Sequence, residues 1–140
     1  TKFGPVENTS PIINFKYGIP GFENLQKFIF QDLKNYPPFQ LFSSVEENDL
    51  SMIVLNTKYL NELKNFRLPN SELQKIGSPS ADETQTFVIL RINPETKQFV
   101  ANTRAPLIVN KSQNLGDQII IENEGLRTDY PIKVAPKQQK

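Results

Sequence analysis

Between Ile12 and Val134 the chain seldom runs far without a turn signal, and that punctuation restricts it to short elements of extended backbone. Aromatic and β-branched runs at Ile12 to Phe15, Phe28-Ile29-Phe30, Phe39 to Ser44, Leu50 to Asn56, Thr86 to Ile92, Lys97 to Asn102, Leu107 to Asn110 and Gln118 to Glu122 read as strands, and Leu126 to Val134 reads as a closing segment. Tyr36-Pro37-Pro38, the acidic loop Glu46 to Asp49, Asn93-Pro94-Glu95-Thr96 and Asn114 to Asp117 separate them, two of these as hairpin turns. Helical signals are confined to single turns: Asn24 to Lys27, Lys58 to Lys64 with leucines at 60 and 63, and Glu72 to Ile76. The last is preceded by Ser71, at capping-box spacing from Gln74, and followed by Gly77. A helix of that length is unstable alone, so Leu73 and Ile76 must pack on a sheet. Ser78 to Gln85 reads as a polar loop. About eight or nine short strands with no repeating helix between them predict a mostly-β chain, an antiparallel pseudo-barrel or sandwich capped by one or two short helices.

The length, 140 residues, suits a single domain, with 1–10 and 135–140 expected as flexible tails. Sixteen basic residues balance fifteen acidic ones, which gives no global attraction for a polyanion. Cysteine and histidine are both absent, so thiolate and imidazole ligands and nucleophile–base pairs cannot be assembled, and no metal, cofactor or catalytic residue is expected. A reducing compartment, the cytoplasm, is the default for such a chain, and no apolar run is long enough to span a membrane. The acidic pairs at Glu46-Glu47 and Asp82-Glu83 read as solvated loop charges.

Two blocks stand out. Gly18-Ile19-Pro20-Gly21-Phe22-Glu23 places two glycines and a proline within six residues, a stiff turn in which Gly18 and Gly21 satisfy backbone angles. Asn102-Thr103-Arg104-Ala105-Pro106-Leu107-Ile108-Val109-Asn110 reads as strand, bend and strand, with Asn102 and Asn110 bonding backbone groups that the bend at Ala105-Pro106 leaves unpaired. In that order and spacing the two blocks resemble the flagellar assembly factor FliW family, whose members carry a GIPGFE segment early and an N-x-x-A-P-I-V-I-N-like segment late. Phe39 to Ser44, Leu50 to Leu55 and Gln118-Ile119-Ile120-Ile121 are softer matches, and the likeness runs from about Ile13 to Pro131. Asn56-Thr57 stands where the family often has Asp-Pro, and Gly125-Leu126 where it has a tyrosine.

The resemblance implies a cytoplasmic binding protein, not an enzyme: a regulator that holds newly made flagellin and, alternately, the RNA-binding translational repressor CsrA, relieving repression of flagellin translation by a route away from the repressor's RNA surface. It implies a monomer with no direct contact to nucleic acid or membrane. Ile19, Pro20 and Phe22 are then expected as an apolar rim for an amphipathic helix of flagellin, with Phe22 as core the competing reading. Glu23 is expected to cap free N–H groups at a turn-to-helix junction, worth about 0.5–1 kcal/mol. Arg104 and Pro106 are expected on the partner face, Arg104 through a bidentate contact with a carboxylate. The rival class is a small β-barrel nucleic-acid-binding module whose stacking platform is drawn from Lys27-Phe28 and Lys97-Gln98-Phe99. A carboxylate-only hydrolase is a more distant third.

Overall fold

The structure is a computed structural model that describes residues 10–47, 49–60, 68–121 and 126–132. Its strands are β1 (Ile13–Phe15), β2 (Lys27–Asp32), β3 (Gln40–Ser44), β4 (Ser51–Asn56), β5 (Thr84–Ile92), β6 (Phe99–Asn110), β7 (Leu115–Gln118) and β8 (Tyr130–Pro131). They pair in the order β5-β4-β3-β2-β1-β7-β6, β5 pairs again with β6 to close the ring, and β8 lies against β6. The mostly-β barrel read from the sequence is what forms, and ring closure rules out the sandwich. Strand direction alternates at every junction except β1–β7, which is parallel, with Asn14 opposite Leu115 and Phe15 opposite Gly116. A closed ring with an odd number of strands cannot alternate throughout, so the purely antiparallel barrel expected from hairpin signals is impossible here.

Period-two alternation carries Ile13, Phe15, Phe28, Phe42, Val54, Phe87, Leu107 and Val109 into one interior cluster. Its centre is aromatic: the Phe28 and Phe42 rings stack at 4.5 Å, and Phe15 meets them edge-on at 5.4 and 5.3 Å. Contacts of this kind add about 0.5–1.5 kcal/mol each beyond the area they bury. The opposite faces of β4, β5 and β6 are also covered. Leu55, Val88, Leu90 and Ala101 pack with Ile132 and Tyr130, and Ile108 and Ile119 pack with Ile76. Burial on both faces explains why Met52 to Leu55 and Phe87 to Leu90 are unbroken apolar runs.

Several local expectations are corrected. Asn24 to Lys27 forms no helix, because β2 already begins at Lys27. The helix α1 (Asn70–Gln74) starts after Pro69 with no side-chain cap, so Ser71 and Gln74 are not a capping box. A reciprocal cap lies instead in the supposed loop. The Ser80 N–H donates to Glu83 Oε1 at 2.9 Å and opens a 3-10 turn at Ala81–Glu83 that launches β5. The last hairpin turns earlier than expected, at 111–114 with Asn114 at φ 56°, so Leu115 to Gln118 are strand and 119–121 are not. Of the helix expected at Lys58 to Lys64, a 3-10 turn at Thr57–Tyr59 is present, and 61–67 lie outside the described residues, as do 1–9 and 133–140 of the expected tails and closing segment.

The parallel seam is tightly fitted: a Cβ added to Gly116 would stand 2.5 Å from Phe15 Cζ. Gly116→Ala is therefore expected to cost about 1–3 kcal/mol by overpacking. Pairing it with Phe15→Leu should recover part of that loss. Chemical denaturation of the two single variants and the double variant checks this, and strictly additive losses would show that ring and glycine are uncoupled.

Candidate functional site

The first block closes one end of the barrel. Gly18 follows β1 at φ +69°, and its N–H donates to the Phe15 carbonyl at 2.8 Å. A Cβ at Gly18 would lie 2.5 Å from both Cα and the carbonyl oxygen of Glu23, so the loop folds back onto the one position that has no side chain. The Phe22 N–H reaches Ile19 O at 2.8 Å and the Leu25 N–H reaches Phe22 O at 3.0 Å. Gly21, at φ +90°, has open space around its missing Cβ, and its N–H donates to Glu23 Oε2 at 3.2 Å. Glu23 thus braces the turn itself, since no helix follows.

This backbone sorts the candidate contact residues. Ile19 is 2% exposed and plugs the interior cluster, which corrects its place on an exposed rim: its side chain is what seats the loop. Pro20 and Glu23 are exposed, Phe22 is 40% exposed, and Tyr17 just before the loop is 54% exposed with Lys16 Nζ 5.7 Å from its ring centre. Phe22 is therefore not core. Tyr17 was missed by sequence reasoning because it sits outside the GIPGFE motif.

The second block is one continuous strand with a large bulge. Pairing steps from Phe87–Leu107 to Ile89–Asn102, so Val88 alone stands opposite Thr103, Arg104, Ala105 and Pro106. Asn102 Oδ1 accepts the N–H groups of Arg104 and Ala105 at 3.1 and 3.2 Å, and Thr103 Oγ1 exchanges bonds with the Arg127 backbone at 3.1 and 2.9 Å. The carbonyls of Arg104, Ala105 and Pro106 are taken by Ile121 N–H, Gln118 Nε2 and Ile119 N–H at 2.8, 2.8 and 3.1 Å. Pro106 is fully buried, which corrects its placement on a partner face, and Arg104 is half-buried and already engaged within the chain. Asn110, also buried, donates from Nδ2 to Ile76 O at 2.7 Å and accepts from Ser112 and Gln113, pinning α1 to the barrel. β7 stands between the two blocks, pairing with β1 on one side and bracing the bulge on the other.

Two carboxylates are set by their surroundings. Glu46 Oε1 accepts the N–H groups of Gln26 and Lys27 at 2.8 and 3.1 Å, and these bonds hold its carboxyl below the usual range, so it is not the idle loop charge expected. It ties the β3–β4 loop to the chain leaving the glycine turn. Asp117, buried beside α1, is pushed above the usual range by burial, against the pull of Lys75 and the Gln118 N–H. Phe28 lies in the interior and Phe99 packs on Phe39 at 5.9 Å, so neither supplies the stacking platform of the nucleic-acid reading. Among the described residues, no helix is long and apolar enough to cross a membrane, and no group of three or more His, Cys, Asp or Glu is placed to hold a metal ion.

Comparison with known proteins is consistent across sequence and fold. The FliW protein family profile matches residues 1–132. The flagellar assembly factor FliW of Clostridium tetani is 34% identical over 121 residues, covering 86% of this chain and 83% of that protein. Its counterpart in Caldicellulosiruptor saccharolyticus is 33% identical over 132 residues, covering 94% and 84%. A crystal structure of the flagellar assembly factor FliW superposes with a TM-score of 0.77 at 24% identity, over 91% of this chain and 89% of that one, which shows a shared fold.

Gly18→Ala should destabilise the chain by about 1–3 kcal/mol, since it combines left-handed backbone with a backbone clash. Gly21→Ala should cost about 1 kcal/mol, from conformation alone. Urea denaturation ranks the two, and equal losses would contradict the clash. Glu46 has a depressed folded pKa, so its contribution is present above the unfolded glutamate pKa and fades as pH falls through the lower folded value. Glu46→Gln should accordingly flatten the loss of stability across that acid window, as measured by thermal melts from neutral pH downward. An unchanged slope would contradict the assignment.

Proposed function

The chain belongs to the FliW family of flagellar assembly factors, and from that membership we propose that it is a cytoplasmic, monomeric regulator that binds flagellin and, alternately, a CsrA-type translational repressor, with no chemistry of its own. The observation that supports this best is the glycine loop. It is fixed by its own backbone bonds and by Ile19 in the core, yet displays Tyr17, Pro20, Phe22 and Glu23 outward. A surface held in this way loses little conformational entropy when it docks, so more of the contact energy appears as affinity. Aromatic anchors beside a carboxylate suit an amphipathic helix that brings an apolar stripe and a basic edge.

Alternate binding needs only that the two complexes exclude one another. The partner with the larger ratio of free concentration to dissociation constant then holds the larger share of the protein. Accumulating flagellin occupies the protein and leaves the repressor free to silence flagellin message, and export of flagellin reverses the exchange. The bulge contributes by shape, as Arg104 and Pro106 hold the barrel wall beside β7.

Phe22→Ala should weaken flagellin binding at least about tenfold in a calorimetric titration, as loss of an aromatic anchor does, while shifting the melting temperature little. Co-purification with flagellin and with the repressor, separately and in competition, tests the reading as a whole. Mutually exclusive recovery supports it, and recovery of neither partner refutes it.

A further inference from the structure

The end of the barrel opposite the glycine loop is built differently. Inward-facing columns that are apolar within the barrel become polar here: Phe42 gives way to Gln40, Val54 to Asn56, Phe87 to Gln85 and Val109 to Lys111, each two residues along its own chain. We propose that this mouth is a docking site for an acidic peptide segment, one bulky apolar side chain of which enters the barrel. The site lies at the far end from the glycine loop, so it stands whether or not that loop holds flagellin.

The mouth holds a cup of about 220 Å³, floored by Ile13, Phe30, Phe87 and Val109 and rimmed by Gln40, Gln85 and Lys111. Small-molecule pockets run to roughly 300–1,000 Å³, so a cup of this size matches a single side chain better than a whole metabolite. It shares Gln85 and Lys111 with the lining of a cleft of about 590 Å³, and Gln40 and Gln85 with that of a cleft of about 470 Å³. Asn56 and Lys58 line both clefts. Gln85 is common to the linings of all three spaces, so an extended chain laid along the two clefts would pass over the cup and could set its anchor there.

Charge selects the occupant. Lys34, Lys58 and Lys111 line these spaces, and none has a carboxylate partner among the described residues. Lys58 Nζ sits 5.3 Å from the ring centre of Tyr59, itself exposed at the cleft edge. Asp32, a carboxylate on this lining, is engaged by Gln40 Nε2 at 3.2 Å. The half-buried Gln85 amide bonds no other described residue, which leaves a donor and an acceptor to pair with a peptide backbone crossing the cup. Apolar floor, free amide and flanking ammonium groups together specify an aromatic or large aliphatic residue between acidic neighbours.

The test is an NMR titration of the full chain with a capped pentapeptide carrying one phenylalanine between two pairs of glutamates, read at the side-chain amide signals of Gln40 and Gln85. Saturable shifts of both are expected. Glycine in place of the phenylalanine should weaken binding at least about fivefold, and Lys58→Glu with Lys111→Glu at least about tenfold. Should the double variant fail to fold, Gln85→Glu, which sets one repelling charge where the linings of the three spaces meet, should by itself abolish the peptide-induced shift of the Gln40 amide. An unmoved Gln85 amide at millimolar peptide would overturn the proposal. So would equal binding of a lysine-flanked peptide, or shifts produced by a single-stranded oligonucleotide and not by the peptide.

Discussion

Everything in this molecule hangs on the contact between the Phe15 ring and the bare backbone of Gly116. Seven strands in a closed ring force one parallel pair, and parallel pairing is the weaker kind per residue. Here that pair is short, with Asn14–Leu115 and Phe15–Gly116 its only registered positions. The missing side chain at Gly116 lets Phe15 lie against the seam and reach Phe28 and Phe42 across the interior. The one parallel junction of the barrel is thus closed by a ring lying over bare backbone, and that same ring joins the junction to the aromatic interior.

Both distinctive sequence blocks depend on that seam. β1 leads from Phe15 directly into the Gly18 turn, whose N–H bonds back to the Phe15 carbonyl. β7 leads from Gly116 to Gln118 and Ile119, which take the carbonyls that the β6 bulge exposes at Ala105 and Pro106. The glycine loop and the proline bulge, some eighty positions apart in sequence, are therefore two sides of one closure. The result is a barrel with unlike ends, one plugged by Ile19 beneath an exposed aromatic rim and the other open and polar. Such a scaffold suits recognition, because its surfaces are set before any partner arrives.

The sequence made the strands legible wherever apolar alternation and turn residues agreed. The hairpin at Asn93 is an example, its Oδ1 accepting from Glu95 and Thr96 as a local turn device. Agreement failed where a tertiary partner decided the outcome. Leu115-Gly116-Asp117 looks like part of a turn, yet it is strand because the Phe15 ring lies against the bare backbone of Gly116. Ser71 and Gln74 have capping spacing, but Pro69 sets the start of the helix, while Ser80 and Glu83 cap a turn within a stretch that looks merely polar. Pro106 looks like a bend available to a partner, yet it is buried because Asn102 and β7 absorb the bulge around it. Phe22 and Ile19 are both apolar neighbours of the same turn. Only the φ values of Gly18 and Gly21 decide that one faces in and the other out. Glu46 carries no local sign that its carboxylate serves Gln26 and Lys27, twenty and nineteen positions away.

The central claim is that the rim from Tyr17 to Glu23 is a preformed surface seated by the seam and used for capture. Amide hydrogen exchange on the chain alone and with flagellin addresses it most directly. The account predicts that the N–H groups of Gly18, Phe22 and Leu25, each bonded within the loop, exchange slowly in the free chain, and that protection from Tyr17 to Glu23 rises further when flagellin binds. Rapid exchange of those amides in the free chain, or a flagellin footprint that leaves the rim untouched, would contradict it.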